Sequence, residues 1–151
     1  MGNSPGKRGS VNLQFETADL SDAPVIFSQA KELIDRYEDI SSIDCDKVLA
    51  WVKKKIETHI SEYRCVWKTD QKVAYYRLCE NGELDDLYVL PVYQGQGIGS
   101  EILKRCIAES KADMYLYVFR DNVRAIAFYE RFGFSVRKTV GHTRFIMSRK
   151  G

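Results

Sequence analysis

The sequence predicts a mixed α/β domain: a central, mostly antiparallel sheet of about six or seven strands, flanked by about four helices. Three observations predict it. Apolar spacing runs strand, helix, helix, then three strands, then helix, strand, helix and two closing strands. Asn81-Gly82 joins two strand-like runs as a hairpin, because both residues tolerate positive φ. A strand, a helix and a strand in sequence over residues 83–119 imply a right-handed parallel crossover.

Taken in order, residues 1–10 are Gly/Ser/Pro-rich and read as a flexible tail or a non-native remnant, with 11–151 as one domain. Gly2 invites N-myristoylation, but Gly6 stands where that motif wants Ser or Thr. Val11, Leu13 and Phe15 alternate with polar residues and predict the first strand. Ser21 or Asp22 caps the first helix, Pro24 suits its first turn, and Ile26, Phe27, Ala30, Leu33, Ile34 and Tyr37 recur at helical spacing. Residues 41–46 are polar and predict a break. A second helix carries Val48, Leu49, Val52, Ile56 and Ile60 on one face, with Lys53, Lys54 and Lys55 as its solvated side. Strands at 63–67 and 73–79 flank a turn near Asp70-Gln71. The strand 83–90 follows the hairpin and stops at Pro91, which cannot donate to a ladder. A third helix begins within 94–100 and turns Ile98, Ile102, Leu103, Cys106 and Ile107 inward. Residues 114–119 are apolar on both faces, as a buried central strand is. Asp121 or Asn122 caps the last helix, whose stripe is Val123, Ile126, Tyr129 and Phe132, and Gly133 breaks it. Two closing strands, 134–140 and 142–148, pair around Gly141.

Composition narrows the function. The 151 residues are 44% apolar, enough for a real core, since a domain of about 150 residues hides roughly 70% of its unfolded surface. A net charge of only +2 argues against nucleic acid as a partner, which needs a basic stripe. No apolar run reaches the roughly 18 residues of a membrane span, and residues 1–10 lack the apolar centre of a signal peptide. The expectation is a cytoplasmic domain with no membrane and no nucleic-acid partner. Cys45, Cys65, Cys79 and Cys106 show no C-x-x-C spacing, and only His59 and His142 could join them. They read as reduced structural thiols, and no metal is expected.

The segment Gln94-Gly95-Gln96-Gly97-Ile98-Gly99-Ser100 carries the chemistry. Glycines let backbone approach a ligand, and a helix start leaves N–H groups without partners. Together they cradle an anion such as a pyrophosphate. A tight strand-to-helix turn explains one glycine easily and three poorly. A Walker loop would need a lysine after Gly99, and Ser100 with Glu101 supplies none. A dinucleotide fingerprint needs a third glycine where Ser100 stands, and it opens a first βαβ unit rather than following a hairpin.

Gln94-x-x-Gly97-x-Gly99 after Leu87-Tyr-Val-Leu-Pro91 resembles the acetyl-CoA signature of the GNAT N-acetyltransferases. The run from Asn122 through Tyr129 to Gly133-Phe134 resembles that family's second hallmark. The resemblance covers roughly residues 73–148 and implies the GNAT fold, with acetyl-CoA as co-substrate and a primary amine as acceptor. It implies that the backbone of Leu87, Tyr88 and Val89 pairs with the pantetheine arm, as an added strand does. It also implies that N–H groups from Gly95 to Ser100 hold the pyrophosphate, that Gln94 belongs to the same site, and that the Asn122 amide contacts the arm. Asn122 reads equally well as a helix N-cap, and both can hold. Tyr129 resembles the general acid for the departing thiolate, although its neighbours Phe128 and Phe132 would also suit a core tyrosine. One branch of the family keeps a Glu base where this chain has Tyr117. Other members carry it on the strand before the loop, where Glu83 resembles it. By the two-residue period, Asp85 shares a face with Glu83 and Asp86 points the other way. These carboxylates hint at a cationic acceptor. Many relatives dimerise, so a homodimer is an analogy-level expectation. A non-catalytic acyl-CoA-binding module of the same fold is the competing expectation, kept open by Tyr117.

Overall fold

In the computed structural model, which describes residues 12–110 and 112–151, the expected strand and helix order is present. The readings placed on residues 1–10, and Val11 in the first strand, lie outside the described residues. Strand β1 (Leu13–Thr17) leads through a single 3-10 turn into helix α1 (Ala23–Tyr37), followed by helix α2 (Cys45–Thr58). Strands β2 (Arg64–Lys68), β3 (Gln71–Leu78) and β4 (Leu84–Val89) come next. Helix α3 (Ile98–Glu109), strand β5 (Met114–Phe119), helix α4 (Val123–Glu130) and strands β6 (Ser135–Val140) and β7 (Arg144–Arg149) complete the fold.

The caps differ in detail from expectation. Asp22 holds the N-cap position of α1 as expected, without a side-chain cap bond, and Asp19 caps the 3-10 turn before it: its carboxylate accepts the Ser21 N–H at 2.9 Å, and Asp22 accepts the Asp19 N–H in return. Helix α2 starts inside the expected break, at Cys45, because Asp44 accepts the Lys47 N–H at 3.2 Å and so ends the loop early. Asn122 caps α4 through the Ala125 N–H at 3.3 Å.

The strands form two antiparallel sheets, ordered β1-β2-β3-β4 and β5-β7-β6. They meet at one parallel bridge, Glu83 to Tyr115, supported by the Tyr115 N–H donating to the Gly82 carbonyl at 3.1 Å. The central mixed sheet is thus a pair of antiparallel sheets hinged at the start of β4. The expectation that 114–119 forms a strand buried on both faces needs correction. Beyond Tyr115, β5 has a ladder only with β7, and Tyr117 is 44% exposed. The apolar run covers the wall of a cleft there instead of a second strand neighbour.

Helices cover both faces of this arrangement. Helix α3 buries Ile98, Ile102, Leu103 and Cys106 against Val66, Val73, Leu84, Leu116 and Met147. Helices α1 and α2 bury Ile26, Ile34, Val52 and Ile56 against Tyr63, Cys65 and Tyr75. Truncating a fully buried position such as Ile26 or Ile56 to alanine costs about 2–5 kcal/mol. All four cysteines are free thiols. Burial pushes the Cys65 thiol up to about 11 and the Cys106 thiol up to about 12, so neither is an activated nucleophile at neutral pH.

Asp22 is a buried carboxylate tying α1 to β3. It accepts from Lys72 Nζ at 2.8 Å and from the Tyr75 hydroxyl at 2.9 Å. Burial pushes its pKa up, but Lys72, the Asp19 N–H and Tyr75 outweigh that and hold it below the ordinary 3.8. A carboxyl depressed by folding stabilises above its unfolded value and loses that contribution as pH falls through its folded value. Asp22→Asn is therefore expected to cost about 1–3 kcal/mol at neutral pH. Urea unfolding of the two proteins checks this, and their stability difference should shrink as the buffer is taken below pH 3.8.

Candidate active site

The two sheets part after the Glu83–Tyr115 bridge, and this exposes one edge of β4. The Leu90 N–H donates to the Val73 carbonyl at 2.9 Å, which fixes the phase of the β3–β4 ladder. By antiparallel alternation, Tyr88 also spends its main-chain groups on β3, whereas those of Leu87 and Val89 point into the gap. Of the three residues expected to offer backbone to a ligand arm, two have that geometry. The gap widens into a cleft of about 770 Å³. Leu87, Leu116, Asn122 and Tyr129 line it together with Leu33, Val48 and Trp51 of the first two helices.

At the far end of β4, outside that cleft, lies the glycine loop. Gly95 and Gly97 have φ of +83° and +82°, a region L side chains rarely adopt. Gly97 is the N-cap of α3, and the first main-chain bond of the helix runs from the Glu101 N–H to the Gly97 carbonyl. The N–H groups of Ile98, Gly99 and Ser100 therefore point out of the helix start without helical partners. The space beside Gly95 is open to 4 Å, and a Cβ on Gly99 would touch Phe128 and Val89. Gln94 braces the loop: its Nε2 donates to the Val89 carbonyl at 3.0 Å. Gln96 accepts from Lys68 Nζ at 2.8 Å, which brings a cation to the loop.

Glu83 and Tyr129 sit on the walls of the one cleft. Burial first, and then the neighbouring Asp85, hold the Glu83 carboxyl above its ordinary 4.5. The Tyr115 hydroxyl approaches Glu83 Oε1 at 3.4 Å. Tyr129 packs edge-on against Phe128 and Phe134, with centroids at 5.2 and 5.7 Å. Burial pushes its hydroxyl well above the usual tyrosine value, so it stays protonated. Tyr117 also lines the cleft, with the Arg144 guanidinium 5.6 Å from its ring centroid.

A charged cluster forms the cleft floor, and here the two-residue period fails. The β3–β4 register shifts between Arg77 and Leu78, leaving Asp85 as the extra residue of a bulge. Asp85 and Asp86 consequently both reach Lys55 of α2, at 3.0 and 3.6 Å, instead of facing opposite ways. Arg77 Nη1 adds a second cation to Asp85 at 2.7 Å. Asp86 accepts from Tyr88 at 2.8 Å and from Tyr63. Its burial raises its pKa even so, and Lys55 opposes that shift. Lys55 is therefore not part of a solvated face; only 20% of its side chain is exposed.

Residues 24–134 match the family model described as the acetyltransferase (GNAT) family. The chain belongs to that family. The spermine/spermidine N(1)-acetyltransferase of Bacillus subtilis (strain 168) is 39% identical over a 57-residue alignment that covers 34% of this chain and 37% of that protein. The chain thus spans little more than a third of that relative's length. The PaiA N-acetyltransferase of Thermoplasma acidophilum, solved with coenzyme A, aligns over 93% of this chain and 100% of its own, with TM-score 0.66 and 21% identity. An acetyltransferase from Thermus thermophilus aligns over 93% of this chain and 97% of its own, with TM-score 0.69 and 22% identity. At such identities these two likenesses establish the GNAT fold alone.

Within that GNAT fold, Glu83, Leu87, Tyr88, Asn122 and Tyr129 converge on one cleft, while Gln94 to Ser100 form the neighbouring helix start. Sequence reasoning missed Lys55, Lys68 and Trp51. Lys55 carried a readable signal. It lies three residues after Val52 and one before Ile56, on the flank of the inward stripe. Lys68 carried none, since its approach to Gln96 depends on tertiary folding.

Proposed function

We propose that the chain moves an acetyl group from acetyl-CoA to a primary amine by direct transfer in a ternary complex. The observation that carries this reading is the continuity of three features. The β4 edge of Leu87 and Val89, which no strand covers, runs from the α3 N-terminus to a cleft lined by both a protonated tyrosine and an elevated carboxylate. The helix start and its glycines take the pyrophosphate through N–H groups, and Leu87 and Val89 pair with the pantetheine arm. Asn122 Oδ1 is engaged in its cap, which leaves its amide NH₂ for the arm. The acetyl donor supplies the thioester, a carbonyl open to attack.

The amine nitrogen attacks that carbonyl carbon as the carbon–sulfur bond breaks. A free alkyl amine titrates near pKa 10, so few molecules are neutral at pH 7. Glu83 takes the amine proton, through water where the distance requires it. Tyr129 gives its proton to the leaving sulfur and regains one from solvent. Amide and free thiol are the products, and no covalent enzyme intermediate is needed. The setting is cytoplasmic in this reading, in keeping with four unpaired thiols.

Thiol release from acetyl-CoA across a panel of amines tests the reading. CoA binding with no release on any amine would instead favour a non-catalytic module. Glu83 has its own test. A base whose folded pKa is raised loses activity as pH falls through that value, which here lies above 4.5. Glu83→Gln is expected to lower kcat/KM about 100-fold and to abolish that acidic limb. An unchanged limb would remove Glu83 from the mechanism.

A further inference from the structure

We infer that the acceptor is a small monoamine carried on an apolar or aromatic body, and that Lys55 excludes polycations by occupying the acidic floor of the cleft. The inference rests on the acetyltransferase reading and names its substrate class. Acidic residues near the reacting strand look at first like a polyamine subsite. Their charges are already used. Asp85 Oδ2 holds Lys55 Nζ at 3.0 Å and Arg77 Nη1 at 2.7 Å. Asp86 Oδ1 takes the Tyr88 hydroxyl, and its Oδ2 takes Tyr63 with Lys55 at 3.6 Å. A second ammonium would have to displace Lys55 from a largely buried pair, leaving that cation in the cleft. Across the cleft, Arg144 lies over Tyr117 and adds positive charge to the other wall.

Among the described residues, two lining carboxylates remain. Glu38 accepts the Thr143 hydroxyl, and Glu83 is the base for the single reacting amine. A polycation needs several free carboxylates in a row; besides the base, this cleft presents only Glu38, which the Thr143 hydroxyl ties into the rim. Meanwhile Leu33, Ile43, Val48, Trp51 and Val140 add apolar surface to the lining of the cleft. Trp51 is 65% exposed, an indole left largely uncovered by the fold. With the floor carboxylates already paired to Lys55 and Arg77, these apolar walls favour a hydrophobic body bearing one amine. The Thr143–Glu38 hydrogen bond ties the β6–β7 turn to the end of α1. That tie closes the rim and favours a compact acceptor over a threaded peptide.

Steady-state CoA release by the full chain tests this with phenethylamine, spermidine, glucosamine and a short peptide with an apolar N-terminal residue. Phenethylamine is expected to exceed spermidine in kcat/KM by at least about tenfold. Trp51→Ala is expected to raise the KM for phenethylamine severalfold without moving that for acetyl-CoA. Lys55→Met should raise turnover of spermidine relative to phenethylamine, and Lys55→Arg should restore the original preference. Wild-type preference for spermidine, glucosamine or the peptide would overturn the inference, as would a Trp51→Ala enzyme with unchanged KM for phenethylamine. These two readouts stand even if Lys55→Met fails to fold. CoA binding without release on any amine would defeat the acetyltransferase reading itself, an outcome distinct from a wrong amine preference.

Discussion

Replacing Tyr129 by phenylalanine is expected to leave the fold and the affinity for CoA intact and to lower kcat about 100-fold or more, the range of a lost general acid. The side chain's packing is carried by its ring, against Phe128 and Phe134. Phenylalanine keeps that ring. Tyr129 lines the cleft, and burial, not a hydrogen bond, is the main cause of its raised pKa. Removing a buried hydroxyl that has no hydrogen-bond partner leaves no other group unsatisfied, so stability should not fall. The proton is another matter. A thiolate leaving in a low-dielectric cleft without a donor is a poor leaving group, so an interaction made only during bond breaking is lost. Such a change lowers kcat and kcat/KM together and leaves ground-state binding alone. Because burial holds the phenol protonated, the wild-type profile should show no loss of the acid at neutral pH. Equal kcat in the two proteins, measured at saturating acetyl-CoA, would return Tyr129 to the role of a core residue.

Much of the site was legible because it is local. The three glycines, the Asn122 cap and the Asn81-Gly82 turn each act through backbone within a few residues. A turn or helix start has the same physics wherever it sits. Glu83 and Tyr129 lie 46 positions apart in the numbering, and only the resemblance brought them into one proposal. What could not be read is equally physical. One extra residue, Asp85, breaks the two-residue period and turns both aspartates toward Lys55. No propensity predicts that, since the bulge answers to the β3 register. The apolar run at 114–119 has the composition of a central strand, yet its residues wall a cleft. Composition reports that a side chain avoids water and is silent on whether a neighbour or a ligand arm does the covering.

The bulge also changes what the acidic cluster means. From sequence, Glu83, Asp85 and Asp86 are three carboxylates hinting at a cationic acceptor. Folded, two of them are matched by Lys55 and Arg77, and one remains. The same residues therefore argue for a different acceptor once their partners are known.

Gly82→Ala is expected to be far more damaging than the same change at Gly141. Gly82 has φ of +94°, and an added Cβ would lie 2.1 Å from the Asp113 carbonyl oxygen. Backbone strain alone costs about 1–3 kcal/mol. The clash adds to it, because a main-chain carbonyl cannot rotate aside as a flexible side chain would. The same residue carries the hinge between the sheets: its N–H donates to the Cys79 carbonyl at 3.0 Å, and its own carbonyl accepts from Tyr115 at 3.1 Å. Relieving the clash must push β5 from the start of β4, where Glu83 and Tyr115 bridge the two sheets. A total of roughly 3 kcal/mol or more follows, a large share of the roughly 5–15 kcal/mol that stabilises an ordinary domain. Gly141→Ala is the control. Its φ is +60°, and nothing lies within 4 Å of the added methyl, so it suffers strain without collision. Thermal melts of the two variants should differ clearly, with Gly82→Ala the lower. Equal midpoints would show that the hinge yields freely. If enough Gly82→Ala folds to assay, its loss of turnover should exceed that of Gly141→Ala, because the displaced strand carries the partner that sets Glu83 at the mouth of the gap.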